Sequence, residues 1–381
     1  MTRVRTAAVI GGGIAGPVAA LALRRAGIEA TVYEGHAGPA DGLGGTIAIA
    51  PNGVAALEIV GMSPPASLPA DRQVMSVGGK RIELPGAGPM RVVRRADLHR
   101  TLNDAVGDVK AGWQLTDVRA DNTAVFANGR EVRADVLIGA DGVHSTVRRL
   151  IDPAAPGPRY TGMLAFEGVS DFGVPEPAGT MTFAFGRKGY YLYWPAPGGG
   201  TTFGVNLPRR DPLGIAEARA VPSAEWLKVL AGVYGQDRPG GDLIRHIAPE
   251  ALQVNGALHI MPPVPRWHRD RMVLTGDAVH APSNSSGQGA SLAIESAVQL
   301  ARCLRDIDDV PEAFATYERL RRPRVEQIAA RAARINQRKT PGRWGQALMP
   351  LVMPLFLRMA RNQEEVLRYR INFEEPIHKY A

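Results

Sequence analysis

The chain has 381 residues, 45% of them hydrophobic, which excludes a disordered polymer and supports a substantial core shared by two intimately connected domains. The net charge of +8 is spread beside acidic residues with no aromatic-interleaved RNA-binding motif, so no nucleic-acid partner is expected; attraction of an anionic small molecule is a by-product. A single cysteine, Cys303, excludes an intramolecular disulfide and a CxxC redox pair, and favours a cytoplasmic setting.

In chain order, Thr6 to Ile10 is an apolar, β-branched run that reads as a buried strand. From Ile14 the chain has helical character, closing with Gly27 as a C-cap. Gly11, Gly13 and Gly16 therefore sit at a strand-to-helix turn. The first permits the turn, the second admits a pyrophosphate to the backbone, and the third allows close helix–strand packing. A second strand ends in Glu34, about 20 residues on, where a carboxylate accepts hydrogen bonds from a ribose hydroxyl. Arg3 and Arg5 before an Ala-rich stretch have the outline of a secretory signal, but the glycine cluster inside it argues against one.

Glu131 to Ala140 reads as one strand running into Asp141-Gly142, where the register turns helical. Thr161–Gly168, Thr180–Phe185, Tyr190–Pro195 and Thr201–Leu207 are strand-like, separated by Gly- and Pro-rich turns, and predict an antiparallel sheet. A four-residue loop at Gly186–Gly189 would pair Phe185 with Tyr190 and Phe183 with Leu192. Met181, Phe183, Phe185, Tyr190, Leu192 and Trp194 then share one face, expected to pack under a helix from Ala224 to Tyr234. Thr182, Ala184, Tyr191 and Tyr193 share the other. Its small groups and phenols suit a ligand cavity, so Thr182, Tyr191 and Tyr193, with Phe203 as a neighbour, are the expected substrate contacts.

Arg271 to Thr275 is another strand; Gly276-Asp277 follows, and a loop leads to Gly287-Gln288-Gly289 and a helix holding Cys303. A carboxylate at a strand end accepts from sugar or ribityl hydroxyls, and glycines let backbone amides crowd a planar ring. The stretch from Arg319 to Lys339 is a basic, solvated helix. Leu348 to Leu357 holds two prolines and is too short to span a bilayer, so no membrane span is expected; it reads as a core-docking or interdomain helix.

Taken together, the three ordered signatures resemble the FAD-dependent aromatic hydroxylases, the group A flavoprotein monooxygenases related to para-hydroxybenzoate hydroxylase and the tetracycline-inactivating monooxygenases. The likeness covers nearly the whole chain and extends to Gly44-Gly45-Thr46-Ile47 with Pro51-Asn52-Gly53, and to Arg95-Ala96-Asp97-Leu98. It implies an α/β fold: a Rossmann-like FAD-binding domain (1–71, 92–160 and 263–340) interrupted by an antiparallel β-sheet substrate domain (72–91 and 161–262), with a C-terminal helical segment (341–381).

The resemblance also implies roles. Gly11, Gly13, Ala15 and Gly16 would bind the FAD pyrophosphate, Glu34 the adenosine ribose, and Arg95 the phosphate–ribityl portion. Gly45 and Thr46 would join the cofactor site, and the Val118 backbone would lie against adenine. Asp141 and Gly142 would contact FAD and, transiently, NAD(P)H. Asp277 would hold the ribityl–pyrophosphate, and Gly287, Gln288, Gly289 and Ala290 would line the pyrimidine edge. The implied reaction takes electrons from NADPH or NADH and inserts one atom of dioxygen into an aromatic or polyketide-like molecule through a flavin hydroperoxide, with no protein nucleophile and no metal. Two departures stand out: Gly35-His36 follows Glu34 where relatives commonly carry Arg, and Ala281–Ser286 is less Pro-rich than usual. His280 reads as a residue holding its loop rather than a base. The alternatives are a nicotinamide dehydrogenase, which would leave the Gly276-Asp277 signature unexplained, a flavin-dependent reductase or halogenase-like oxidoreductase, though no WxWxIP segment is present, and a redox-silent FAD-binding protein.

Overall fold

The structure is a computed structural model that describes residues 3–38, 45–84, 89–337 and 365–377. Gly44, the 348–357 run and the last two residues of the basic stretch lie outside the described residues.

The first third opens with β1 (Thr6–Ile10), α1 (Ala15–Arg25) and β2 (Glu29–Glu34), followed by β3 (Thr46–Ile49) and α2 (Pro51–Ile59). Gly27 takes φ +79°, the left-handed conformation that ends a helix at least cost. After β4 (Leu68–Ala70), β5 (Arg72–Val77), β6 (Lys80–Glu83) and β7 (Met90–Arg94) comes α3 (Arg95–Val106). β8 (Val109–Ala111), β9 (Leu115–Val118), β10 (Thr123–Phe126), β11 (Glu131–Arg133), β12 (Val136–Gly139) and α4 (Thr146–Ile151) follow.

The single strand expected over 131–140 is thus two, in different sheets. β11 belongs to a three-stranded sheet with β9 and β10, and β12 to the central one. Asp135 causes the break: its carboxylate accepts the amides of Arg5 and Thr6 at 2.8 and 2.9 Å, so the chain is pinned there to the start of β1.

The middle of the chain supplies β13 (Arg159–Ser170), β14 (Thr180–Phe185), β15 (Tyr190–Pro195) and β16 (Thr201–Pro208). Next come α5 (Ile215–Ala220), α6 (Ser223–Tyr234), α7 (Gly240–Arg245) and β17 (Leu252–Ile260). The chain returns through β18 (His268–Arg269) and β19 (Met272–Leu274) to α8 (Gly289–Asp306) and α9 (Val310–Gln337).

Two large sheets result. In the first, ordered β18-β19-β12-β1-β2-β8, every pairing but β18–β19 is parallel. Its core strands are apolar on both faces, as a sheet covered on both sides requires. The second has the order β17-β13-β16-β15-β14-β5-β6 and is antiparallel except where β5 joins β14 in parallel. The hairpin register is as expected, Phe185 opposite Tyr190 and Phe183 opposite Leu192. Cys303 is buried in α8, and burial pushes its thiol up to about 12, so it stays protonated and inert. No helix among the described residues is long and apolar enough to cross a membrane.

Candidate active site

Strands β1, β12 and β19 are parallel neighbours, so their carboxyl ends share one edge of the sheet. Gly11, Asp141 and Gly276-Asp277 follow these three ends. Segments far apart in sequence therefore meet at the edge where open α/β sheets bind ligands. The contacts are close: a β-carbon on Gly11 would overlap the carbonyl of Ala140, and one on Gly276 would lie 2.7 Å from the Ala15 β-carbon. The Ala15 side chain thereby packs one signature against another.

Gly13 differs from its neighbours, because a β-carbon there would meet nothing within 4 Å. It faces open space at the start of α1, a helix with no side-chain N-cap and no acid in its first turn. Four amides at such an end lack partners within the helix, and the dipole favours an anion. Beside the loop, Glu34 accepts the Gly12 amide at 2.6 Å and the amide and Nδ1 of His36 at 2.8 and 2.9 Å. Burial would raise its pKa, but these donors together hold it below the ordinary value.

Asp141 accepts the Ser145 hydroxyl and the amides of Thr146 and Val147 at 2.7 and 3.1 Å, which ties its carboxylate to the first turn of α4. Burial nevertheless raises its pKa. Gly142 follows in the left-handed region at φ +73°. Asp277 is exposed, yet surrounded by enough protein that desolvation raises its pKa, with the Arg95 charge opposing. Arg95 opens α3, its amide donating to Gly45 O at 3.0 Å and its side chain exposed. Val118 closes β9, and its amide already donates to Asp117 Oδ1 at 2.8 Å.

The Gly287–Gly289 turn leads into α8, which again lacks a side-chain cap and an acid in its first turn. Gln288 is pinned from below. Asn52 Nδ2 donates to Gln288 Oε1 at 3.1 Å and to Glu295 Oε1 at 2.7 Å. Glu295 is in turn held by Arg321 and Arg324, at 2.7 and 2.8 Å. Gly53 lies so close to Ser291 that any side chain would clash, and this seats the Pro51-Asn52-Gly53 turn on α8. Sequence reading gave Asn52 and Glu295 no role. His280 lies beneath, its Nε2 2.8 Å from Ser296 Oγ, and burial with the Arg321 charge lowers its pKa to about 3. It is neutral and tied to the core.

A cavity of about 560 Å³ separates the Gly287–Ala290 segment from the second sheet. Gly45, Thr46 and Arg95 line its rim, and the sheet presents Met181, Phe183, Phe185, Tyr190, Leu192 and Trp194. The two faces of the hairpin are therefore reversed relative to the expectation. Tyr191, Tyr193, Phe203 and Ala184 point to the opposite side, into a core with Trp226, Leu230 and Tyr234 of α6, and Thr182 is fully buried. The period-two sorting holds, but the assignment by polarity fails, because both phenols find partners inside the protein. Tyr191 donates to Arg238 O at 3.2 Å, and Tyr193 donates to Glu176 Oε1 at 2.9 Å, where Glu176 also meets Arg81. An apolar ligand is better served by the greasy face. Tyr193→Phe is accordingly expected to cost about 1.5–3 kcal/mol of stability, the worth of a hydrogen bond to a charged group, while leaving substrate KM unchanged. A large rise in KM would return Tyr193 to the site.

The residues present fit a dinucleotide flavin cofactor: an open glycine at one uncapped helix start, a second uncapped helix, and the Asp277 carboxylate within the electrostatic influence of Arg95. Comparison with known proteins agrees. Residues 257–332 match the family model described as an FAD binding domain. The chain is 34% identical to 3-amino-4-hydroxybenzoate 2-monooxygenase PtnB3 of Streptomyces platensis, over 85% of this chain and 86% of that one. It is 28% identical to aurachin C monooxygenase/isomerase of Stigmatella aurantiaca, over 97% and 98%. Klebsiella pneumoniae HpxO, solved with FAD and uric acid, superposes with a TM-score of 0.78 at 26% identity, covering 95% of each chain. The chain belongs to the group A flavin monooxygenase family, and it is an FAD-dependent monooxygenase of the aromatic hydroxylase kind.

Proposed function

We propose that this monooxygenase draws its electrons from NAD(P)H and places one atom of dioxygen on an aromatic small molecule held against the apolar face of the second sheet. In overall balance, a hydride from NAD(P)H supplies two electrons, a proton comes from solvent, one oxygen atom enters the substrate, and the other leaves as water. Bound FAD supplies the redox centre at which dioxygen is activated. The observation that carries the reading is the cavity itself, walled on one side by Gly287–Ala290 and on the other by Met181, Phe183, Leu192 and Trp194.

Each residue then has a physical task. Gly13 and the α1 amides receive the pyrophosphate, Glu34 a ribose hydroxyl, and Asp277 with Arg95 the ribityl–pyrophosphate portion. Asp141 and Gly142 shape the floor between them. The start of α8 favours negative charge at the pyrimidine edge on reduction, by roughly 0.3 to 2 kcal/mol. Gly45 and Thr46 close the rim, and the apolar sheet face orients the ring and excludes water.

The test is anaerobic stopped-flow reduction of the FAD-loaded protein by NADPH and by NADH, across a panel of phenols and N-heterocycles, followed by mass analysis after admission of ¹⁸O₂. A ligand that accelerates reduction and emerges carrying one labelled oxygen is expected. Label found only in water or peroxide would remove the oxygen-insertion reading.

A further inference from the structure

Within the cavity wall, β13 and β17 carry a polar pair that the reading above leaves unused. Glu167 lies opposite Gly204, which lies opposite Leu192 and then Phe183, so Glu167 shares a cross-strand row with the apolar cavity face. It is the one acid among the described residues lining the cavity. Its carboxylate is anchored from one side by Thr46, whose amide donates at 2.9 Å and whose hydroxyl donates at 3.1 Å.

Asn255 is brought beside it by a defect in the sheet. Phe166 pairs with Val254 but the adjacent Ala165 pairs with Gly256, so Asn255 is an extra residue in a β-bulge, and Gly256 takes φ +90°. Bulges re-aim side chains next to functional sites. The Asn255 side chain lines the cavity and has no hydrogen-bond partner among the described residues. Its Nδ2 lies 2.9 Å from the point a Gly45 β-carbon would occupy, and a Glu167 oxygen lies closer still to the same point. A carboxylate and a primary amide thus stand together at the seam between the Gly45–Thr46 rim and the substrate sheet. Burial raises the Glu167 pKa, the mark of a carboxylate poorly supplied with solvent.

We propose that Glu167 and Asn255 form a clamp for a lactam edge, an N–H beside a C=O on a flat heteroaromatic substrate. The carboxylate accepts the N–H and the amide donates to the carbonyl. The rest of the ring system lies along Phe183 and Leu192. A substrate presenting a carboxylate at this seam would meet Glu167 as a like charge, so a simple benzoate is disfavoured in this orientation. The proposal rests on the aromatic-substrate reading above and narrows it to a chemical class.

The test is calorimetric titration of the FAD-loaded protein with 2-quinolone, N-methyl-2-quinolone and salicylate, for the natural chain and for Glu167→Gln and Asn255→Ala. One charge-assisted hydrogen bond corresponds to about a tenfold preference or more, so 2-quinolone is expected to bind at least about tenfold tighter than its N-methyl form. Glu167→Gln should collapse that ratio to within about threefold, and Asn255→Ala, which removes an unpartnered amide, should weaken 2-quinolone with FAD affinity unchanged. No preference for the free N–H, or no binding of either quinolone, overturns the clamp. So does a loss of FAD affinity in both variants with the ratio intact, which would assign the pair to the flavin's own N–H and carbonyl edge. Failure of the monooxygenase reading shows elsewhere, as a flavin that NAD(P)H does not reduce.

Discussion

Glu295→Ala is expected to lower folding stability by about 3–5 kcal/mol, because it leaves two arginines buried without their counter-charge. Glu295 and Arg321 are almost wholly shielded from solvent and Arg324 is 14% exposed, so solvent does little to compensate the loss. The dependence on pH has a definite sign. Burial alone would push the Glu295 carboxyl up, but Arg321, Arg324 and Asn52 override it and hold the pKa below the ordinary carboxylate value. A depressed pKa contributes stability above the unfolded-state value, and that contribution is lost as pH falls through the folded-state value. The gap between the natural chain and Glu295→Ala should therefore narrow on acidification. Urea unfolding at several pH values measures it, and a gap below about 1 kcal/mol at neutral pH would refute the assignment. The same variant should loosen Gln288, since Asn52 bridges the two side chains, and weaken FAD binding with it.

Gly16→Ala and Gly13→Ala are expected to part company, although each adds one methyl group to the same loop. A β-carbon on Gly16 would overlap the carbonyl oxygen of Gly11, a backbone atom that a rotamer change cannot move. Helix α1 must then shift from β1, at a cost of about 1–3 kcal/mol or more in stability, with FAD binding lost as well. At Gly13 the methyl meets no protein atom. Apo stability should hold while FAD affinity falls at least about tenfold, the loss of one close phosphate contact or more. Thermal melts of the apo forms and flavin-release titrations separate the two. Full FAD retention in Gly13→Ala would move the pyrophosphate away from this turn.

Much of this arrangement is legible locally. Gly11, Gly16 and Gly27 answer to the geometry of a turn and a helix end within a few residues. The β14–β15 hairpin follows from its loop length and a period of two, and its register agrees residue by residue. Less legible is the strand over 131–140, which breaks at Asp135 because that carboxylate caps the start of β1, a partner 129 positions away. The Asn52–Glu295–Arg324 chain was equally hidden. Its members are an asparagine in a turn and charged residues on two helices, and nothing local distinguishes them from solvated ones.

The hairpin marks the boundary between the two kinds of information. Alternation along a strand decides which side chains share a face, since successive residues point to opposite sides whatever surrounds them. It cannot decide which face meets a helix and which a ligand, because that depends on elements packed above and below the sheet. Here α6 supplied the core for Tyr191 and Tyr193, Arg238 O and Glu176 satisfied their hydroxyls, and the apolar face was left to the cavity. The sequence by itself determined the motifs, their order and the pairing of neighbouring strands, all set by short-range sterics and side-chain period. Only the tertiary structure decided which face holds the substrate and which distant carboxylates and amides meet there, because desolvation and hydrogen-bond partners are properties of the assembled layers.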